Sequence, residues 1–86
     1  MQLAYSVHGV PIRLTSERWT HIVENHDDIA GRMYDVLEVI ADPDIILAGR
    51  QDEFIALQKR NPLPLVVVYK EIFQNGGFVI TAFQTS

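Results

Sequence analysis

Apolar residues follow two different rhythms along this chain. Between Thr15 and Ala41 they recur every three or four positions; from Ile45 onward they alternate or run together. The first rhythm predicts helices and the second strands. One helix is expected from Thr15 to about His26, with Thr15 as N-cap and Glu17 in the first turn, where the helix dipole favours a carboxylate. Its apolar stripe is Trp19, Ile22 and Val23. A second helix is expected from Gly31 to Ala41, with Met33, Val36, Leu37 and Ile40 on one face. Asp42-Pro43-Asp44 ends it, because the residue before proline is pushed out of helical geometry.

Four strands account for the remainder: Ile45 to Gly49, Glu53 to Lys59, Leu65 to Ile72 and Phe78 to Gln84. Gln51-Asp52 joins the first pair at hairpin spacing, without the glycine that a tight turn prefers. Gln74-Asn75-Gly76-Gly77 joins the last pair. Ahead of the helices, Val10, Ile12 and Leu14 alternate around Pro11, which predicts a short edge strand, since proline gives no ladder donor. Met1 to His8 is weakly patterned and reads as a loose lead-in. The expected fold is α+β, a single domain over residues 1–86. Two N-terminal helices would pack on one face of a four-stranded antiparallel meander, with the short edge strand at its N-terminal side.

Bulk composition narrows the function classes. The chain holds no cysteine, which removes disulfide frameworks and thiolate chemistry and favours the cytoplasm. The start, MQLAYSVHGVPIR, lacks the basic and apolar regions of a signal peptide, and the run from Leu63 to Tyr69 is too short to cross a bilayer. No membrane association is expected. Net charge is −4 and uneven. Met1 to Asp44 carries three basic residues against eight acidic, a net of −5; Ile45 to Ser86 carries four against three, a net of +1. Extended nucleic-acid binding needs a basic excess, so only a small site is compatible with this balance.

Candidate chemistry sits on both rhythms. His26 falls on the apolar stripe of the first helix, and His21 on the opposite side beside Glu17 and Glu24. Their five-residue separation does not suit a shared metal, whose helical ligands stand four apart; no metal or other cofactor is expected. On the sheet, Lys70 shares a face with Val66, Val68 and Ile72, while Tyr69 points to the opposite face with Leu65, Val67 and Glu71. Strict alternation puts Val79, Thr81, Phe83 and Thr85 together on the last strand. Arg50, Lys59 and Arg60 flank the connecting loops, where they could meet phosphates.

Three blocks, LTSERWTHIVENH (Leu14 to His26), VLEVIADPDIILAG (Val36 to Gly49) and VVVYKEIFQNGGFVITAFQTS (Val66 to Ser86), resemble the barnase/EndoU/colicin/RelE-like (BECR) ribonuclease superfamily of small bacterial and phage-associated proteins. The resemblance implies a metal-independent endoribonuclease, the toxin of a toxin–antitoxin pair or an effector domain. It would use a ribose 2′-hydroxyl to cut RNA and leave a 2′,3′-cyclic phosphate. It implies a catalytic set of His21, His26, Lys70, Thr81 and Thr85, with Arg50, Lys59 and Tyr69 contacting RNA. The implied partners are tRNA or mRNA, a cognate antitoxin protein and a second copy of the chain. Two other readings stay open. One is a catalytically inactive domain of the same type, acting as a protein-binding module through its acidic helices. The other is an inhibitor that imitates nucleic-acid charge.

Overall fold

The computed structural model describes residues 1–72 and 76–85. The chain forms β1 (Gln2–Tyr5), β2 (Pro11–Leu14), α1 (Ser16–Asn25), a 3₁₀ turn (Asp27–Ile29), α2 (Met33–Ala41), β3 (Ile45–Ala48), β4 (Glu53–Gln58), β5 (Leu65–Ile72) and β6 (Gly76–Gln84). The Gln74-Asn75 half of the expected last turn lies outside the described residues.

All the strands join one six-stranded sheet in the order β1-β2-β6-β5-β4-β3. The four-stranded antiparallel sheet expected from sequence is therefore corrected to a six-stranded mixed one. Two elements make the difference. Residues Gln2 to Tyr5, taken as a lead-in, pair antiparallel with β2. In turn β2 is no edge: it pairs in parallel with β6 through Ile12↔Gly77 and Arg13↔Phe78. Parallel neighbours need a long crossover, and here everything from α1 to β5 supplies it. Pro11 is tolerated because it is the first residue of its strand.

Local chemistry explains the helices. The Thr15 hydroxyl accepts the Arg18 N–H at 3.1 Å and caps α1. Ile22 from α1 and Val36, Val39 and Ile40 from α2 are buried with Leu65, Val67, Tyr69, Val79 and Ala82 from β5 and β6. That core covers one sheet face. The other face carries Ile45 and Leu47 of β3, which stay 45% and 57% exposed. Between β3 and β4, Gln51 and Asp52 themselves adopt positive φ (49° and 69°), giving the primed turn without glycine.

A bulge in β6 alters its faces. Val68 pairs with Thr81, but Tyr69 pairs with Val79, so Ile80 is the extra residue. Val79 therefore faces the core, 1% exposed, and does not share a face with Thr81 as strict alternation predicts. Phe78 moves to the uncovered face in its place.

Gly77 is pinned where β6 lies between β2 and β5. A Cβ there would stand 2.8 Å from Ile12 Cδ1 and closer still to the Lys70 carbonyl oxygen. Gly77→Ala should destabilise the fold by about 3 kcal/mol, since neither backbone can retreat without losing its ladder. Urea unfolding measures it, and an unchanged midpoint would refute the tight β2–β6 junction.

Candidate functional site

The parallel pairing aligns a row of side chains across the uncovered sheet face. Leu3, Arg13, Phe78, Lys70 and Glu53 are successive cross-strand partners on β1, β2, β6, β5 and β4. Directly opposed residues share a face, and neighbouring strands lie about 4.8 Å apart, so Arg13 and Lys70 flank Phe78 at roughly 10 Å from each other. One step along the same face, Thr81 stands opposite Val68.

Past Phe78, β6 leaves β2, and α1 runs beside it. Arg18 reaches the bulge there: its Nη1 donates to the Ile80 carbonyl over a long 3.5 Å. Arg13, Thr15, Arg18, Phe78 and Val79 line a surface concavity of 490 Å³ together with Met1. A second, of 410 Å³, is lined by Thr15, Glu17, Arg18 and His21. The two share Thr15 and Arg18 and so form one groove. His21 is exposed on its wall, one helical turn beyond Arg18. Among the described residues, no carboxylate comes within 4.0 Å of the Arg13, Arg18 or Lys70 side chains, and all other ion pairs lie elsewhere. The first turn of α1 adds its partial positive charge to the groove.

The structure thus places His21 and, on the adjoining sheet face, Lys70 and Thr81 around the Phe78–Ile80 segment. It separates the others. His26 closes the C-terminal end of α1, donating its backbone N–H to Ile22, with its ring 5.8 Å from Phe83. Thr85 lies beyond the far end of β6, its N–H donated to Pro64. Arg50 precedes β4 and Lys59 follows it, so the six-residue strand holds them at opposite ends of the sheet. The Lys59 backbone N–H is donated to Asp44 Oδ2 at 2.6 Å.

Two expectations are corrected outright. Tyr69 cannot stack on a nucleobase, because it is fully buried, with its ring stacked on Phe54 at 5.8 Å. Its hydroxyl has no hydrogen-bond partner, and burial, helped by the nearby Glu71 charge, pushes its pKa up to about 12. Arg60 is not free for phosphate: it lies 3.2 Å from Asp35 and 3.4 Å from Glu38, and its Nε donates to Gln58 at 2.7 Å. With Arg32 donating to the same Asp35, these cations hold that carboxyl below the usual carboxylate range, the Arg32 hydrogen bond contributing most.

Arg13, Arg18 and Phe78 are the site residues that sequence reasoning passed over. Arg18 was legible from its three-residue spacing to His21. Arg13 and Phe78 were not, because their juxtaposition depends on the parallel pairing and the bulge. Compared with protein-family models, with curated proteins and with solved structures, the chain returns no match.

Proposed function

We propose that this chain is a metal-independent endoribonuclease whose site is the groove formed by α1 and the β6 bulge. One observation carries the reading. In a chain of net charge −4, three cations without carboxylate partners collect beside an exposed histidine and an aromatic ring. A phosphodiester with a flanking base matches that combination, with Phe78 offering a stacking surface. The resemblance of three sequence blocks to the BECR superfamily supports the same chemistry. With it comes the role of a toxin or effector that meets a cognate antitoxin.

His21 removes the proton of a ribose 2′-hydroxyl. The oxygen attacks the adjacent phosphorus, forming the O2′–P bond as P–O5′ breaks. Lys70, across Phe78 from the α1 side, protonates the departing 5′-oxygen. Base and acid then stand on opposite sides of the phosphorus, as in-line displacement requires. Arg13 and Arg18 offset the charge that builds on the phosphorane, and Thr81 donates to a phosphate oxygen.

Incubation with tRNA and with mRNA in EDTA should give fragments with 2′,3′-cyclic phosphate ends, while DNA stays intact. Intact RNA at micromolar protein, or dependence on a divalent metal, would end this reading. Arg18→Ala and Lys70→Ala should each slow cleavage by about 10²-fold, as loss of one charge-stabilising group does elsewhere. Equal rates for these variants and the parent would remove the groove from the mechanism.

The protein-binding alternative has its own support. Ile45, Leu47, Ile55 and Leu57 share the uncovered face of β3 and β4, through the pairs Ile45↔Leu57 and Leu47↔Ile55. An apolar surface of this kind suits a protein partner better than the acidic helices do. A chain that leaves RNA intact but loses a partner on Leu47→Lys would be such a module.

A further inference from the structure

The largest concavity is away from the cationic row. It measures 590 Å³, within the range of small-ligand sites, and is lined by His8, Gly9, Val10, Pro11, Asp52, Phe54, Glu71 and Gly76. Its polar wall is a built arrangement. His8 Nδ1 lies 2.9 Å from Glu71 Oε2. The buried Ser6 hydroxyl donates to the same oxygen at 2.7 Å and accepts the His8 and Val10 N–H groups at 3.2 and 3.3 Å. The Glu71 side chain is only 13% exposed. The His8 ring also stands 5.1 Å from Phe54, which fixes it from the apolar side. Because Glu71 neighbours Lys70 on β5, this wall belongs to the opposite side of the sheet from the Arg13–Phe78–Lys70 row.

The chemistry of the wall is one-sided. A carboxylate only accepts, so the hydrogen it shares with His8 sits on Nδ1, and the neutral ring presents Nε2 as an acceptor. Glu71 keeps accepting capacity on Oε1, and Asp52 is an exposed carboxylate. The lining side chains therefore offer acceptors and an apolar floor, with no lysine or arginine among them. Residues 73–75, which adjoin Gly76 in the chain, are Phe-Gln-Asn and carry no charge. A phosphate or carboxylate ligand would meet two negative charges here.

We propose that this pocket binds an organic cation, an ammonium or guanidinium group on a short hydrocarbon arm. The charged group is held between Glu71 and Asp52 with a donated hydrogen bond to His8 Nε2, and the arm lies against Phe54, Val10 and Pro11. Phe54 adds a cation–π contact. Such a group comes from a free amine or from an arginine side chain of a peptide.

Titration of the full chain by NMR separates the sources. The probes are agmatine, the tripeptide Gly-Arg-Gly and the uncharged N-butylurea. Saturable shifts at His8, Gly9, Phe54 and Gly76 with either cation, and binding of the urea weaker by about tenfold, bear the proposal out. Agmatine binding identifies a free amine as sufficient; binding of the tripeptide alone identifies a peptide side chain. Glu71→Gln should weaken the cation by about tenfold, and Asp52→Asn, on an exposed turn, gives the same charge readout should the first variant not fold. Arg18→Ala should leave it unchanged. No saturation with either cation, an equal response to the urea, or indifference to both acidic substitutions would overturn it.

Discussion

His21→Ala should lower RNA cleavage by about 10²–10⁴-fold, the range over which a positioned general base contributes. The loss should fall on kcat, because His21 lies on the groove wall and supplies no charge clamp. Arg13→Ala should act mainly through KM, as a phosphate-binding cation does. Added imidazole should restore part of the His21→Ala rate and none of the Arg13→Ala loss. His26→Ala is the matched control: its ring touches Phe83 and not the groove, so it should lose about 0.5–1.5 kcal/mol of stability while cleavage persists. His21 is exposed, so its replacement should change stability by less than about 0.5 kcal/mol. Full activity in His21→Ala, or inactivity in His26→Ala with the fold intact, would remove His21 from the role of base.

What the sequence made legible follows from which interactions are local. The Thr15 cap, the stripe of α1 and the Asp42-Pro43 end of α2 all depend on residues within a few positions of one another. The structure places each within a residue or two of its expected boundary. β1 escaped because its large residues point the wrong way for a core strand. Leu3 and Tyr5 are 46% and 60% exposed, while Ala4 and the polar Gln2 turn inward, so no apolar alternation marks it. The β2–β6 pairing escaped because its partners are separated by 65 residues, and no periodicity reports such a contact. The same gap hid half of the site. His21, Lys70 and Thr81 stand out by residue type alone, whereas Arg13 becomes a candidate only once β2 is known to lie beside β6. A single extra residue, Ile80, then decides that Phe78 and not Val79 joins that row. Tyr69 and Arg60 were misjudged for the opposite reason: a polar atom was read as a functional one. Tyr69 is a core ring whose hydroxyl is carried along, and Arg60 is held by two carboxylates and a glutamine.

Tyr69 should dominate stability on both counts. Tyr69→Ala removes the largest fully buried side chain from the centre of β5 and should cost about 3–5 kcal/mol, a large part of what an 86-residue domain possesses. Tyr69→Phe keeps the ring against Phe54 and deletes only the unpartnered hydroxyl, so it should be neutral or stabilise by about 1 kcal/mol. The alkaline limb separates these effects further. The phenol titrates near 10.0 when unfolded but only near about 12 in the fold, chiefly because burial disfavours the phenolate and secondarily because Glu71 repels it. Above pH 10 the unfolded chain therefore holds fewer protons than the folded one, and stability falls as pH rises. The contribution is fully present below pH 10 and is lost through pH 12, a fall of about 3 kcal/mol for a two-unit displacement. Urea unfolding of the parent and of Tyr69→Phe across this window should show that fall in the parent, over and above what lysines and the other tyrosines impose on both. Parallel curves would mean that the Tyr69 hydroxyl reaches water, and with it that the core face of β5 is less sealed than the packing of Phe54, Val67 and Val79 around it requires.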